Sequence, residues 1–389
     1  MKYVDEFRDG DLARKLSEDI AREARSGRSY HLMEFCGGHT HAIFRYGIPD
    51  LLPDNVKLIH GPGCPVCVLP IARLDMAMAL AQQDDVILCT YGDMLRVPGS
   101  GRQSLLKIRA EGRDVRMLYS PLDCIALAQQ NPDKQVVFFA IGFETTTPPT
   151  AVLLDQAAKL GLENLTVFCN HVLTPAAMHG ILGTPGDELK LDGFVGPAHV
   201  STVIGYAPYE PFPEQYGTPV VIAGFEPLDV LQAILMLIRQ LNEGRSEVEN
   251  EFTRAVTREG NAKAGALTDR MFGIRDTFEW RGLGFVPRSA LQIRPEWQQF
   301  DAEVRFAAQL QAHAESLKSL LKDNKACECP QILRGLKSPR DCKLFDNPCT
   351  PDNPLGSCMV SSEGACAAYY QYGRRQQDEP QVIAVAGGQ

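Results

Sequence analysis

Short apolar runs recur along roughly the first 240 residues, and each is closed by Gly, Pro, Asp or Asn and followed by a segment with helical spacing of apolar residues. The runs are HLMEF, VKLIH, DVILCT, DVRMLYS, QVVFFAIG, LTVFCN, LDGFVG and PVVIAG. Eight strand-loop-helix units, each of about 25 to 30 residues, match the size of β-α repeats. They predict an α/β fold with parallel sheets, flanking helices and right-handed crossovers.

The spacing of the units favours two groups of four over one closed barrel. Gly-Pro follows the second strand of the first group and the third strand of the second, and a polar break at 131–134 separates the groups. We therefore predict two lobes, at 31–130 and 131–240, that face a cleft. An eight-stranded barrel has the same number of units and stays an alternative. In both arrangements the loops after the strands gather at one face, where α/β proteins bind ligands.

The two ends of the chain differ from the repeats. Residues 1–30 predict an N-terminal helix that packs on the C-terminal domain. After residue 241 the chain becomes charged and helical, and EVRFAAQLQAHAESLKSLL predicts an amphipathic helix. WRGLGFVPRSALQIRPEWQQF is typical of a Gly/Pro-rich connection, and the tail QDEPQVIAVAGGQ of a frayed end. Residues 241–389 therefore form a third, mainly helical domain that carries a cysteine-rich segment.

Composition and charge narrow the possible functions. With 44% hydrophobic and 22% charged residues the chain is an ordinary globular protein, and its net charge of −9 without a basic block argues against nucleic-acid binding. No apolar run approaches the ~20 residues of a membrane span, and the charged start is not a signal peptide. We expect a cytoplasmic protein, where twelve cysteines favour metal or redox chemistry over structural disulfides.

The sequence CPVC, at Cys64 and Cys67, lies between a Gly/Pro loop and an Ala-rich helix. Free backbone N–H groups at a helix start stabilise thiolates, so this pair is predicted to exchange between dithiol and disulfide near neutral pH. Two alternatives remain: incidental core thiols, or half of a zinc site completed by Cys36 and His39.

The sequence FCGGHTH combines a thiol with two imidazoles. Two glycines allow close backbone approach and a positive φ, so that Cys36 can present its sulfur from a tight turn. A thiolate beside the imidazole of His39 suits iron, zinc or copper. His41 equally fits a helix-capping position.

The sequence GFETTTPP ends another strand with a carboxylate and three hydroxyl groups. Threonines at a helix start are common caps, so any one of them has an ordinary structural explanation. Together, Glu144, Thr145 and Thr146 predict a polar lining for a small ligand at the same face.

The remaining cysteines fall into two kinds. Cys89, Cys124 and Cys169 have apolar surroundings and are expected to be small buried hydrophobes. The other six lie late in the chain: Cys327, Cys329, Cys342, Cys349, Cys358 and Cys366. Because their wide spacing lacks paired zinc knuckles, it favours a 4Fe-4S cluster with four thiolate ligands and a spare dithiol. Zinc binding and incidental thiols are the alternatives.

The chain contains CGGHTH, GPGCPVCVLP, GFETTTPPTA, and CECPQILRG followed by further cysteines. With this combination of motifs it resembles the HypD family of hydrogenase maturation factors from about Phe35 to Tyr370. The resemblance implies a scaffold for the Fe(CN)2CO fragment of nickel-iron hydrogenases. It also implies two α/β lobes across a cleft, a 4Fe-4S domain, and two partners: a HypC-type chaperone and a HypE-type cyanide donor.

Carried over by position, the resemblance makes Cys36 the iron-binding thiolate, His39 its neighbouring imidazole, and Cys64 and Cys67 the redox pair. Its cluster ligands would be Cys327, Cys342, Cys349 and Cys366, and its extra dithiol Cys329 and Cys358. Pro330 departs from the glycine expected after CxC, without affecting a ligand. The alternative function is a stand-alone iron-sulfur thiol/disulfide oxidoreductase that acts on a small substrate or a partner's disulfide.

Overall fold

The computed structural model describes residues 5–183, 189–317 and 326–373, and its secondary structure is mixed α/β. The strands are β1 Tyr30–Glu34, β2 Val56–His60, β3 Val86–Thr90, β4 Val115–Met117, β5 Gln135–Gly142, β6 Leu165–His171, β7 Gly193–Gly196, β8 Val220–Ile222, β9 Val248–Asn250, β10 Phe272–Ile274, β11 Thr277–Trp280, β12 Gly284–Pro287 and β13 Leu291–Ile293.

The helices are α1 Gly10–Glu23, α2 Gly37–Arg45, α3 Pro65–Val68, α4 Ile71–Ala81, α5 Leu105–Ala110, α6 Asp123–Gln130, α7 Thr147–Lys159, α8 Thr174–Leu182, α9 Ala198–Ile204, α10 Pro211–Tyr216, α11 Pro227–Glu243, α12 Ala262–Met271, α13 Ala302–Arg305, α14 Ala307–Leu317, α15 Cys329–Leu333 and α16 Ala365–Tyr372. The predicted amphipathic helix corresponds to α13 and α14, and its last residues and the predicted tail at 377–389 lie outside the described residues. No described helix is long and apolar enough to cross a membrane.

All eight predicted strands form, and they pair in parallel within two sheets. The first sheet has the order β2-β1-β7-β8-β9, and the second has the order β4-β3-β5-β6. The α/β prediction with parallel sheets and flanking helices is therefore confirmed, and the single-barrel alternative is wrong.

The strand pairing crosses the predicted lobe boundaries at 31–130 and 131–240. The first sheet joins β1 and β2 to β7, β8 and β9, which lie more than a hundred residues further along the chain, whereas β3 to β6 form the second sheet. A local apolar run shows that a strand forms, but its neighbours are chosen by side-chain packing between distant segments. Grouping consecutive units was therefore the wrong basis for assigning strands to sheets.

The segment at 272–293 contains strands that the sequence pattern did not reveal. β11 and β12 form an antiparallel hairpin, and β10 pairs with β13. In β11 alternate residues are buried, including Phe278 and Trp280. Gly282 and Gly284 have φ values of +90° and +72°, which the hairpin turn requires. The glycines that suggested a loose connection therefore close a hairpin.

The N-terminal helix α1 packs along α11. Ile20 of α1 is fully buried in the apolar cluster that covers one face of the first sheet, together with Leu231 and Ile234 of α11. Asn242, near the C-terminal end of α11, donates its side-chain amide to the Glu23 carbonyl at 2.7 Å. The sequence placed this helix on the C-terminal domain, whereas its main contact is with the helix that follows β8.

The three cysteines expected to be small buried hydrophobes are buried as predicted. Cys89 on β3, Cys124 on α6 and Cys169 on β6 have at most 1% of their surface exposed. All three lie in the apolar cluster of the second sheet.

A half-buried ion network ties α4 to the C-terminal part of the chain. Glu303 in α13 accepts hydrogen bonds from the guanidinium groups of Arg73 and Arg275. Arg73 also donates to the Cys169 carbonyl at 3.0 Å, so the network reaches β6. Burial favours the neutral form of Glu303, but the two arginines outweigh it and lower its pKa to about 2.

Replacing Glu303 by Gln should destabilise the protein by roughly 2 to 3 kcal/mol at pH 7. Because the folded-state pKa lies below the ordinary value of 4.5, the stabilisation is complete above about pH 4.5 and is lost as the pH falls towards 2. Urea denaturation of both proteins between pH 7 and pH 3 would measure this. The exposed Glu296→Gln is the control, and a difference that does not shrink in acid would contradict the assignment.

Candidate functional site

Cys36 lies where β1 ends and α2 begins. It caps α2 with an extended backbone, and its side chain is largely buried. Both following glycines are helical, so the predicted positive-φ hinge is wrong. They are needed for close approach instead: a Cβ on Gly37 would lie 2.3 Å from the Glu363 Cβ, and one on Gly38 would lie 2.4 Å from the Phe225 ring. The CGG sequence therefore makes room for two distant segments.

The carboxylate of Glu34, which the sequence analysis missed, organises this site. It is completely buried, and its oxygens accept from the Cys36 amide at 3.0 Å, from the Thr40 hydroxyl and from His60 Nδ1 at 2.7 Å. A buried carboxylate is stable only when its lone pairs are satisfied, as they are here. The signal available in the sequence was a charged residue inside the apolar run HLMEF. A carboxylate that is buried with such a run needs hydrogen-bond donors from the residues around it.

The loop after β2 lies directly against the loop after β1. The Gly61 amide donates to the Glu34 carbonyl at 2.9 Å, and the Gly37 amide donates to the Gly63 carbonyl at 3.2 Å. A Cβ on Gly63 would lie 2.6 Å from the Cys36 nitrogen. The pairing of β1 with β2 thus brings the segments that carry Cys36 and Cys64 together.

His39 is completely buried and held by the loop after β8. Its Nε2 lies 3.1 Å from the Ala223 carbonyl oxygen and 2.9 Å from that of Gly224, so Nε2 carries the hydrogen and donates. Burial lowers its pKa, so the ring is neutral. No described residue bonds to Nδ1, which leaves a buried lone pair without a partner. The lone pair of this nitrogen is of the kind that binds a metal ion.

The environment of Cys36 keeps its thiol protonated in the absence of a ligand. Burial, with a contribution from the Glu363 and Glu34 carboxylates, raises its pKa to about 12, although the Gly38 and His39 amides oppose the shift. A metal ion would displace this proton, as metal binding to thiols does generally.

Cys64 and Cys67 are joined by a disulfide. Cys64 caps α3, and the Cys67 amide donates to the Cys64 sulfur at 3.2 Å. The Ser357 hydroxyl donates to the Cys67 carbonyl at 3.0 Å, and the Cys67 sulfur lies 4.0 Å from the Ser357 carbonyl oxygen. The CxxC turn is therefore docked on the cysteine-rich segment, one residue from Cys358.

The side chains of GFETTTPP mostly form hydrogen bonds with other residues of the protein. Glu144 is buried and accepts from the Thr174 amide at 2.8 Å and the Thr174 hydroxyl at 2.9 Å, so it caps α8. Burial raises the Glu144 pKa to about 7. The Thr146 hydroxyl donates to the Phe143 carbonyl at 3.1 Å, and Thr145 is half-buried. A ligand-binding role for these three residues stays a prediction.

Two further residues belong to this region. The Tyr209 phenol is completely buried, and burial, with smaller contributions from Glu144 and Cys36, raises its pKa. Tyr209 is thus within electrostatic reach of both motifs. His199, which follows β7, packs its ring on Phe225 at 4.3 Å between ring centres. The signal for His199 was its place after a strand, in the sequence GPAH.

Five of the six late cysteines come together. The Cys358 thiol hydrogen-bonds to Cys329 and Cys366, which lowers its pKa to about 5, and Cys327 hydrogen-bonds to Cys329. The Leu355 amide donates to the Cys349 sulfur at 3.4 Å, and a Cβ on Gly356 would lie within 2.7 Å of the Cys327 and Cys329 sulfurs. Cys342 is buried in the same apolar core.

The thiols gathered in this segment are the kind of donor that an iron-sulfur cluster takes. In the described part of the chain, no three His, Cys, Asp or Glu side chains are spaced to hold one metal ion. Iron-sulfur clusters take one thiolate for each iron, and thiols are the donors gathered here. The structure does not test which four are ligands, so the assignment of Cys327, Cys342, Cys349 and Cys366 stays a prediction.

These features define an α/β protein whose strand-end loops hold a buried thiol and imidazole beside a CxxC turn and a cysteine-rich segment. A family model named HypD, described as "Hydrogenase formation hypA family", matches residues 11–373. The chain belongs to the HypD family.

Three relatives illustrate the match. The hydrogenase expression/formation protein HupD of Azotobacter chroococcum mcd 1 is 72% identical over 385 residues, 98% of this chain and 100% of that protein. The hydrogenase maturation factor HypD of Azotobacter vinelandii is 71% identical over 389 residues, 99% of this chain and 100% of its own length. The factor of that name from Escherichia coli K12 is 44% identical over 385 residues, covering 97% of this chain and 100% of the relative.

Replacing Glu34 by Gln should destabilise the fold by roughly 2 to 3 kcal/mol, since an amide offers one acceptor oxygen and turns an N–H2 group towards existing donors. Cys36 should also react faster with a thiol reagent, because its loop is no longer held. Urea denaturation and timed alkylation with peptide mass spectrometry would measure both. The exposed Glu18→Gln is the control, and an unchanged Cys36 rate in Glu34→Gln would contradict the role.

Proposed function

We propose that this protein is a hydrogenase maturation factor that serves as a scaffold for assembly of the Fe(CN)2CO fragment. The full-length match to proteins of that name supports the maturation role. The observation that carries the finer proposal is the meeting of three cysteine groups: Cys36, the CxxC turn and the late cysteines. Glu363, between Cys358 and Cys366, covers Gly37, and Ser357 holds Cys67.

Iron, as the substrate, would be bound by the Cys36 sulfur, with the imidazole of His39, whose Nδ1 bonds to no described residue, as the second group of the site. Cyanide and carbon monoxide favour low-spin iron(II), for which a soft thiolate is a suitable anchor. The proton of the Cys36 thiol leaves when the metal binds. The buried surroundings of Cys36 and His39 exclude water from the bound fragment.

Electrons would reach this site from the CxxC pair and the cysteine-rich segment. Cys64 and Cys67 hold two electrons as a dithiol and release them when their disulfide forms. A 4Fe-4S cluster, when bound to the late cysteines, takes up and releases single electrons. The contact between Ser357 and Cys67 keeps the two groups adjacent.

A HypC-type chaperone and a HypE-type cyanide donor are the partners proposed for this scaffold, and the cytoplasm is its proposed location. The family membership supports a place in the maturation pathway, to which these partners belong. Glu144, Thr145 and Thr146 are proposed to line the cleft near Tyr209.

The second candidate function is a stand-alone thiol/disulfide oxidoreductase, which the Cys64–Cys67 disulfide favours. The two functions differ in their cargo. A scaffold that is purified anaerobically with its chaperone carries iron cyanide. An oxidoreductase carries no iron cyanide and reduces its substrate.

Replacing Cys36 by Ser should abolish the nitrile and carbonyl infrared bands of the complex with the chaperone, because a hard, protonated hydroxyl replaces a soft thiolate. His39→Ala should weaken the bands. Infrared spectra of anaerobically purified complexes would measure this, with Cys124→Ser, in helix α6 against the second sheet, as the control. Full-intensity bands in Cys36→Ser would place the iron elsewhere, at Cys64 or Cys67.

Anaerobically purified protein should be brown, with broad absorption near ~400 nm and about four iron atoms per chain. Cys349→Ala should lose this colour because it removes a cluster ligand. Cys329→Ala should keep the colour and lose activity. A colourless wild-type protein that contains one or two zinc ions would contradict the cluster.

A further inference from the structure

A pocket of about 170 Å³ lies between α2, β2 and the turn that joins them, and Tyr369 of α16 forms part of its wall. Most of the lining is apolar: Ile43 and Phe44 come from α2, Leu52 from the connecting turn and Leu58 from β2. An apolar cavity of about 150 Å³ holds benzene, so this pocket has room for one small ring. Its size and lining suit a small, largely apolar molecule.

One buried polar side chain, the imidazole of His60, belongs to the wall of this pocket. His60 ends β2, and only 8% of its surface is exposed. Its Nδ1 lies 2.7 Å from the Glu34 carboxylate, which is completely buried. No described residue bonds to Nε2, the nitrogen on the other side of the ring, and Nε2 is not fully enclosed by protein. Because His60 lines the pocket, Nε2 is the polar atom that the ring offers to a bound molecule.

The ring of His60 is held in one orientation by its neighbours. The contact with Glu34 fixes its rotation, and the rings of Phe44 and Tyr369 pack against it with 5.0 Å and 5.4 Å between ring centres. Phe44 and Tyr369 also pack on each other at 4.0 Å. A polar atom on a fixed ring binds a ligand without first ordering a side chain, which lowers the entropic cost of binding.

The charges beside the pocket and the chemistry of imidazole define the ligand. Asp54 and Lys57 contribute one exposed charge of each sign, so a net charge on the ligand gains little. Burial of such a charge against apolar walls costs free energy. The best partner for Nε2 of His60 is a hydroxyl group, which both donates and accepts and therefore bonds to the ring in either protonation state.

We propose that this pocket is a binding site for a small uncharged phenol or alcohol whose hydroxyl group bonds to Nε2 of His60. The apolar body of the ligand packs against Ile43, Phe44 and Leu52. The pocket is distinct from the proposed iron site, although Glu34 bonds to His60 on one side and to the Cys36 amide on the other. Binding at the pocket requires neither iron nor a thiol.

The test compares 4-fluorophenol with 4-fluorotoluene, which have nearly the same shape and differ in the hydroxyl group. Fluorine NMR titrations of the full-length protein at pH 7 give a dissociation constant for each probe. His60→Asn removes Nε2 but keeps an amide that can donate to Glu34 as Nδ1 does. Leu52→Trp fills the pocket from the connecting turn. Leu106→Trp, at an exposed position of α5, is the matched control.

The wild-type protein should bind 4-fluorophenol saturably. His60→Asn should weaken binding of 4-fluorophenol about tenfold relative to 4-fluorotoluene, because one hydrogen bond to the ligand is lost. Leu52→Trp should abolish saturable binding of both probes, since its indole occupies the space of the ligand. Leu106→Trp should bind both probes as the wild-type protein does.

Three results overturn the proposal: no saturable binding of 4-fluorophenol to the wild-type protein, undiminished binding to folded Leu52→Trp, or an unchanged ratio of the two dissociation constants in folded His60→Asn. Circular dichroism shows whether each variant is folded. If His60→Asn does not fold, wild-type protein with nitrogen-15-labelled histidine decides. There 4-fluorophenol should shift one histidine ring signal that 4-fluorotoluene leaves in place, and the absence of such a shift overturns the bond to His60.

Discussion

The site depends on one buried carboxylate, that of Glu34. Removing a carboxylate from water costs several kcal/mol unless hydrogen bonds replace its hydration. Its acceptor oxygens are satisfied by the Cys36 amide, the Thr40 hydroxyl and the His60 ring. Those donors come from the first turn of α2 and from the end of β2. Satisfying the charge therefore fixes the two loops that carry Cys36 and Cys64 side by side.

Close packing then gathers the groups of cysteines around those loops. Gly37, Gly38 and Gly63 lack the side chains that would separate the loops from Glu363, Phe225 and one another. Ser357 and Arg281 hold the CxxC helix from two directions through hydrogen bonds to its backbone carbonyls. Cysteines that the sequence distributes over about three hundred residues are thus brought into one region of the fold.

Much of the fold could be read from the sequence, because a strand is recognisable from its own residues. All eight apolar runs became strands, and the cysteines with apolar neighbours are buried. The hairpin at 277–287 was not predicted, because only Phe278 and Trp280 show the alternation of buried and exposed residues in β11. Exposed residues and the turn glycines make up much of the rest of the segment. The role of Glu34 was missed because an isolated polar residue in an apolar run gives no sign of its partner, and that of Tyr209 because it lies in a Pro-rich segment without a regular pattern.

The sequence by itself determined the α/β class, the buried thiols and the residue types of the site, since each follows from local pattern and from the chemistry of a side chain. Only the tertiary structure decided that β1 and β2 join β7 to β9, that Glu363 and Phe225 occupy the space left by two glycines, and that Ser357 of the cysteine-rich segment bonds to Cys67. The physical reason is that these contacts join residues far apart in the chain. Their free energy comes from burial and from hydrogen bonds that exist only once the chain has folded.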